Sequence, residues 1–262
     1  MLPPPTAPEA IALCAVAALA GAINAIAGGG TLLTFPALLW FGTGALVANA
    51  TNTLALFLGT GGSIWSLRRH IPAVRPWLMR LLPVSLAGGW LGGVLLTRTS
   101  ERAFAALVPW LILFATLVFL AQAPLRRLAG FSEGGAVQPH RRLVWVAQLL
   151  QFAVAVYGGY FGAGIGILML ASLGFLAIGS LHEVNVAKNI LGGAINCIAA
   201  LWFIAAGLID WPRAAVMTLG ALVGFFVAAH YSQRVPQAWV RRAVVTVGIC
   251  ITVAQFWKQR LA

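Results

Sequence analysis

The side chains best suited to chemistry lie in the stretch Ser180 to Asn196, SLHEVNVAKNILGGAIN. Asn185, Lys188, Asn189, Gly192 and Asn196 fall at i, i+3, i+4, i+7 and i+11, so they share one face of a helix. An ammonium flanked by carboxamides supplies a fixed positive charge and several N–H donors, which suits a small oxyanion. Lys188 is one of two lysines in the chain. In mid-helix a lysine costs about 2.5 to 3.5 kcal/mol on membrane-insertion scales, so its retention points to an ion path or a buried pair. The competing reading is an ion pair with Glu183, or snorkelling of the ammonium to the interface. Ser180 and Glu183 have the S-x-x-E spacing of a capping box, which would set Lys188 two turns in, about 10 Å from the helix end. Glu183 and His182 are the nearby groups that could couple protons.

A second polar face stands earlier in the chain, on Asn49, Asn52, Thr53 and Thr60. Each face follows an interrupted apolar segment. Gly28, Gly29 and Gly30 break the first; Gly162, Gly164 and Gly166 break the second. Glycine lets the chain turn and bare its backbone N–H groups. A half-helix starting at Gly30 or Gly166 would aim its positive dipole end at the bilayer middle. Backbone N–H groups with Lys and Asn then make an oxyanion site that needs no acid. The alternative is close helix packing through small residues, the preferred reading for Gly88, Gly89, Gly92 and Gly93. Asn24, Tyr157, Tyr160 and Asn196, polar positions near the breaks, are further candidates for lining a path or for interhelical hydrogen bonds.

Other chemistries lack their parts. His70, His140, His182 and His230 form no set, and there is no H-E-x-x-H. Cys14, Cys197 and Cys250 lie inside apolar runs and read as small hydrophobes. The acids Glu9, Glu101, Glu133, Glu183 and Asp210 are scattered. No metal, no cofactor and no enzymatic activity are expected.

The elements that carry these residues are membrane spans. The chain is 61% hydrophobic and 8% charged, with mean hydropathy +0.92. A soluble domain is about 25% charged. The net charge of +12 would suggest nucleic acid in a soluble protein. Here the basic residues sit in pairs between apolar runs, as in Arg68-Arg69 and Arg141-Arg142, so no nucleic acid is expected and the positive-inside rule accounts for them. The N-terminus MLPPPTAPEA has no basic region, so the first run reads as a span and not a cleaved signal. Apolar runs predict helices near 9–27, 45–67, 76–97, 103–122, 143–163, 182–207, 212–232 and 238–257. Two shorter pieces, about 30–41 and 166–178, are too short to cross a core of about 30 Å and read as re-entrant. The fold expected is all-α and integral to the membrane, with about eight transmembrane helices in two four-helix repeats, each with a broken half-helix.

The repeats are related by an offset of 136 residues, as from Asn49 to Asn185. Gly30 matches Gly166, Pro76 matches Pro212, Gly88 matches Gly224 and Arg98 matches Arg234 at that offset. Residues 1–123 form the first repeat, 124–142 a linker and 143–262 the second. Four arginines in the linker place it in the cytoplasm. Four spans per half would make the repeats parallel. The contrast between the basic 68–80 loop and the charge-poor 210–213 loop hints at inversion.

GAINAIAGGGTLLTFPALLWFG followed by ANATNT, and YGGYFGAGIGILML followed by NVAKN, resemble the two signature repeats of the TauE/SafE family. The family is also called the sulfite exporter or 4-toluene sulfonate uptake permease family. The resemblance covers about residues 10–257. It implies a multi-pass carrier of the bacterial inner membrane, with seven or eight spans and sulfur oxyanions or organosulfonates, such as sulfite and sulfoacetate, as substrates. Members often carry a Gly-Thr-Ser-type run where this chain has Ala50-Thr51-Asn52-Thr53. The expected partners are therefore a small anion and the lipid bilayer; a homodimer is one state open to such a chain. Alternating access by a secondary transporter is the leading reading. An anion channel, or a non-transporting membrane enzyme or assembly factor, are the alternatives.

Overall fold

A computed structural model describes residues 3–26, 29–66, 71–121, 141–174, 181–231 and 245–253. Every regular element among them is a helix: α1 (Ala7–Ile26), α2 (Thr31–Trp40), α3 (Ala45–Ser66), α4 (Ile71–Arg98), α5 (Glu101–Leu120), α6 (Arg141–Tyr160), α7 (Ile165–Gly174), α8 (Leu181–Ala205), α9 (Trp211–Tyr231) and α10 (245–253). Among the described residues, five stretches are long and apolar enough to cross a membrane: Ala7–Ala25, Ile71–Arg98, Glu101–Val118, Glu183–Ala205 and Trp211–Ala228. Large apolar side chains such as Leu107, Trp110, Phe114, Leu219 and Phe226 point outward from the bundle. That girdle is stable against lipid and not against water, so the protein is an integral membrane protein.

Local chemistry sets the helix ends. Glu9, Glu101 and Glu183 place carboxylates in the first turns of α1, α5 and α8, where the helix dipole favours them. Gly42 and Gly207 adopt left-handed φ of 79° and 69° and stop α2 and α8. The Thr43 N–H then closes on Leu38 O, and Leu208 N–H on Phe203 O. One boundary differs from the sequence expectation: α4 begins at Ile71, not near 76, and continues through Pro76 and Pro83. Pro76 lies in the second turn, so its missing N–H forfeits only a bond to the carbonyl of Pro72 in the first.

The order of contacts fixes the helix directions. Between α1 and α9, Glu9 meets Arg213, Cys14 faces Gly220 and Ala18 faces Gly224, so the two run parallel. α3 runs the same way, since Thr51 meets Asp210 and Gly59 faces Ala221 and Phe225. On the other side, Arg80 meets Gln148, Gly88 faces Ala155 and Gly92 faces Val156 and Gly159, so α4 and α6 are parallel. α8 joins them: Gly89 faces Ile195, Gly93 faces Ala199 and Thr97 meets Trp202. The two groups are antiparallel. Glu101, just beyond the end of α4, accepts the N–H groups of Ala45 and Leu46 at the start of α3. Helices matched by the 136-residue offset (α1 and α6, α3 and α8, α4 and α9) therefore point in opposite directions. The return leg is α2, whose Thr34 meets Asn52 and which runs antiparallel to α3. At ten residues it spans about 15 Å, half a crossing. α7, also ten residues, packs antiparallel on α8, with Ile165 by Ile195 and Met169 by Gly192.

Charge divides between the two ends. Arg75 and Arg80 lie in the first three turns of α4, and Arg141 and Arg142 in the first turn of α6, at one end, which we call the basic end. The opposite, mixed-charge end has Arg98, Arg102 and Arg213 together with Glu9, Glu101 and Asp210. There Arg213, buried, makes 2.7 Å ion pairs with Glu9 and Asp210 and ties α1 to α9.

Candidate functional site

A cavity of about 90 Å³ lies where the two helix breaks meet the middles of α3 and α8. Asn24, Gly29 and Thr31 line it from the first break, and Gly162, Gly164 and Gly166 from the second. α3 contributes Thr53 and Thr60; α8 contributes Lys188, Asn189 and Asn196. Thr53 and Asn189 are matched by the 136-residue offset, as are Thr60 and Asn196, so both repeats supply equivalent positions to one space. Lys188 is the charged side chain among the described lining residues, and no acid accompanies it there. No group of three metal-ligating side chains occurs among the described residues.

Hydrogen bonds fix how the walls present themselves. The Gly30 N–H donates to Asn24 Oδ1 at 2.7 Å, which satisfies the start of α2 and leaves the Asn24 amide as a donor. Thr53 Oγ1 donates to Asn49 O at 2.8 Å, and Thr60 Oγ1 to Leu56 O at 2.5 Å. Gly162 and Gly164 hold left-handed φ of 80° and 78°, which brings the start of α7 round to the cavity. Tyr157 locks that turn by donating its hydroxyl to Ala163 O at 2.7 Å.

Above the cavity, toward the mixed-charge end, aromatic rings fill the space. Phe161 packs edge-on against Phe35 with centroids 5.3 Å apart, and against Phe104 at 6.4 Å. Tyr160 joins Phe104 at 5.7 Å. Phe35, Phe104 and Phe161 are all essentially inaccessible to solvent. The positions matched to Phe35 and Phe161 by the 136-residue offset are Ala171 and Ala25, so the plug has no aromatic counterpart there.

Several sequence candidates come together at this cavity: Lys188, Asn189, Thr53, Gly29, Gly164 and Gly166, with Asn24, Thr60 and Asn196. Others do not line it. Asn49 is fully buried one turn nearer the mixed-charge end, where its amide donates to Tyr160 O at 3.0 Å. Asn52 Oδ1 accepts the Thr34 hydroxyl, tying α3 to α2. Gly30 is pressed against α1, where a Cβ would sit 2.4 Å from Ala20 O. Asn185 and Glu183 lie half-buried on α8, nearer the basic end than Lys188. Gly28, Ser180 and the side chain of His182 fall outside the described residues. The lining also includes Leu56, Phe161, Met169 and Phe225, whose apolar character inside apolar runs gives no signal in sequence. Thr31 could have been found, because it directly follows the glycine break.

Comparison with known proteins agrees with this architecture. The chain is 31% identical over 171 residues to a "Probable membrane transporter protein ORF9" of Sinorhizobium sp, covering 63% of this chain and 60% of that one. It is 34% identical over 167 residues to a "Probable membrane transporter protein" of Haemophilus influenzae, covering 61% and 60%. It is 30% identical over 176 residues to "Probable membrane transporter protein YfcA" of Escherichia coli K12, covering 66% and 60%. The match thus spans about 60% of the length of each of these relatives. No solved structure matches the chain. The family model described as "Sulfite exporter TauE/SafE" matches residues 13–254, nearly the whole sequence, and the chain belongs to the TauE/SafE family of membrane transporters.

Proposed function

We propose that the protein is a secondary transporter that moves a small sulfur oxyanion or organosulfonate, such as sulfite or sulfoacetate, across the bacterial inner membrane by alternating access. The observation that carries this reading is the cavity itself: two broken helices, the Lys188 ammonium and three asparagines converge on it with no acid among its described lining residues. In this proposal Lys188 balances the anion's charge. Asn189, Asn24 and Asn196 donate hydrogen bonds, and the glycine turns supply backbone groups and hinges. The size is apt. At about 10–15 Å³ per water by this measure, the space holds on the order of six waters, and it is smaller than the roughly 150 Å³ that accommodates benzene. A space of this size suits a small tetrahedral or pyramidal anion better than an aryl sulfonate.

The packed rings of Phe35, Phe104 and Phe161 close the route to the mixed-charge end, which favours a carrier over an open channel. The positive-inside rule puts the basic end in the cytoplasm. Asn49, Asn52 and Asn185 then act around the site and not on the anion, the first two by bracing α3 against the second break and α2.

The test is equilibrium binding of labelled sulfite to purified protein. Lys188→Ala is expected to lose at least about tenfold in affinity, the loss of one hydrogen bond to a charged ligand, while staying monodisperse. Unchanged affinity would remove Lys188 from the site. Saturable counterflow in proteoliposomes separates a carrier from a channel and from a protein that transports nothing.

A further inference from the structure

The walls of the cavity are not alike. Lys188 and Asn24 line it and bring donors, the ammonium and the amide that remains once Asn24 Oδ1 is held by the Gly30 N–H. Only an oxygen can face a backbone N–H, so the carboxamide nitrogen is the end left free to donate. The α3 wall is the reverse. Thr53 and Thr60 both line the cavity, and both have given their hydroxyl protons to carbonyls of their own helix, Asn49 O and Leu56 O. A hydroxyl used this way has only lone pairs left for what sits beside it. While those intrahelical bonds are kept, the oxygens repel an ion with no proton. Toward an ion that carries an O–H they are partners.

We infer that the cavity selects a singly protonated oxyanion, one that accepts from Lys188 and Asn24 on one side and donates its own O–H to Thr53 or Thr60 on the other. This rests on the transport reading above and narrows it to a protonation state. It also gives the coupling a route. A carrier that takes the protonated anion moves a proton with every anion and needs no titrating carboxylate in the cavity. Among the described lining residues α1, α2, α3, α7 and α9 present no titratable side chain, and α8 presents Lys188, with Glu183 five residues earlier and off the lining. Glu183 and His182 are then not required as proton carriers.

The experiment measures equilibrium binding of labelled sulfite and labelled sulfate to detergent-purified full-length protein across neutral pH. Sulfite takes up a proton in that range and sulfate does not. The expected result is sulfite affinity that falls about tenfold per pH unit above its second ionisation, as the protonated fraction falls, with sulfate bound more weakly throughout. Thr53→Val with Thr60→Val should flatten the slope and cost roughly 10- to 100-fold for sulfite at low pH, the value of one hydrogen bond to a charged ligand. Thr53→Ser with Thr60→Ser, which keeps the oxygens, should restore both, so misfolding of the valine variant cannot imitate the result. Sulfite and sulfate bound alike, with no slope, would overturn this inference and leave the transport reading standing. Binding of neither ion at any pH would overturn both.

Discussion

Alanine at Gly224 should loosen the pairing of α1 with α9, and the size of the effect follows from the geometry. A Cβ there would lie 1.9 Å from Ala18 O, 2.7 Å from its carbonyl carbon and 2.9 Å from its Cα. All three are backbone atoms, so no rotamer change relieves the clash and the helices must move apart by about 1 Å. Gly220 and Gly21 interlock with Cys14 and Ala221 in the same way, at 2.2 Å and 2.5 Å, so the displacement spreads along the seam. Overpacking of this kind costs up to about 3 kcal/mol. Replacing a helical glycine by alanine returns about 1 kcal/mol of backbone entropy. The net loss is about 2 kcal/mol. At about 2–4 °C per kcal/mol for a chain of this size, the midpoint of thermal unfolding should fall by about 4–8 °C. The assay is a melt of purified protein in detergent at one scan rate, since unfolding of such proteins is commonly irreversible. Gly192→Ala is the control: its Cβ would meet only Met169 Cε, at 3.7 Å, so the helix should hold its stability or gain up to about 1 kcal/mol. A Gly224→Ala protein that melts with the wild type, while Gly192→Ala behaves as stated, would refute the backbone-contact argument.

Three further outcomes are expected. Arg213→Ala leaves the half-buried Glu9 and Asp210 without their cation and should cost up to about 3 kcal/mol, read as a melting shift; adding Glu9→Gln and Asp210→Asn should recover much of it. Glu101→Gln weakens the cap on α3, whose Leu46 N–H lies 3.1 Å from the carboxylate, and should cost about 1 kcal/mol in the same melt. Asn24→Asp keeps an acceptor for the Gly30 N–H but turns a donor toward the cavity into a negative charge, so the fold should persist while sulfite binding drops by at least about tenfold in the equilibrium assay.

Much of this arrangement is legible in the amino-acid sequence. The glycine breaks and the 136-residue offset are written in residue types that few other constraints would repeat. Lys188 and Asn189 line the cavity because a cation and an amide in an apolar run have few other places to go. Height along a helix was not legible. Asn49, Asn52, Thr53 and Thr60 share a stripe, yet the cavity reaches only Thr53 and Thr60, and the two asparagines lie under Tyr160 and Thr34. Periodicity gives an angle around the axis and says nothing of how deep a cavity runs. The start of α4 was hidden for another reason: Pro76 looks like a first-turn proline, and the turn before it is seen only once its neighbours are known. The direction of the second repeat could not be read from span counts alone, because α2 and α7 each go half-way and return.

The parallel pairs carry a consequence for how such a molecule can move. α1 comes from the first repeat and α9 from the second; α4 comes from the first and α6 from the second; each pair touches through bare backbone at glycine. Among the described glycines these are the closest backbone approaches, and each is a handshake across the two halves of the sequence. A rocking motion that parted the first half from the second would have to break both grips at once. In the proposed transport cycle the pieces that tilt would therefore be hybrids, one built on α1 with α9 and the other on α4 with α6, and the boundary between the two halves of the sequence is not the line along which the molecule would open.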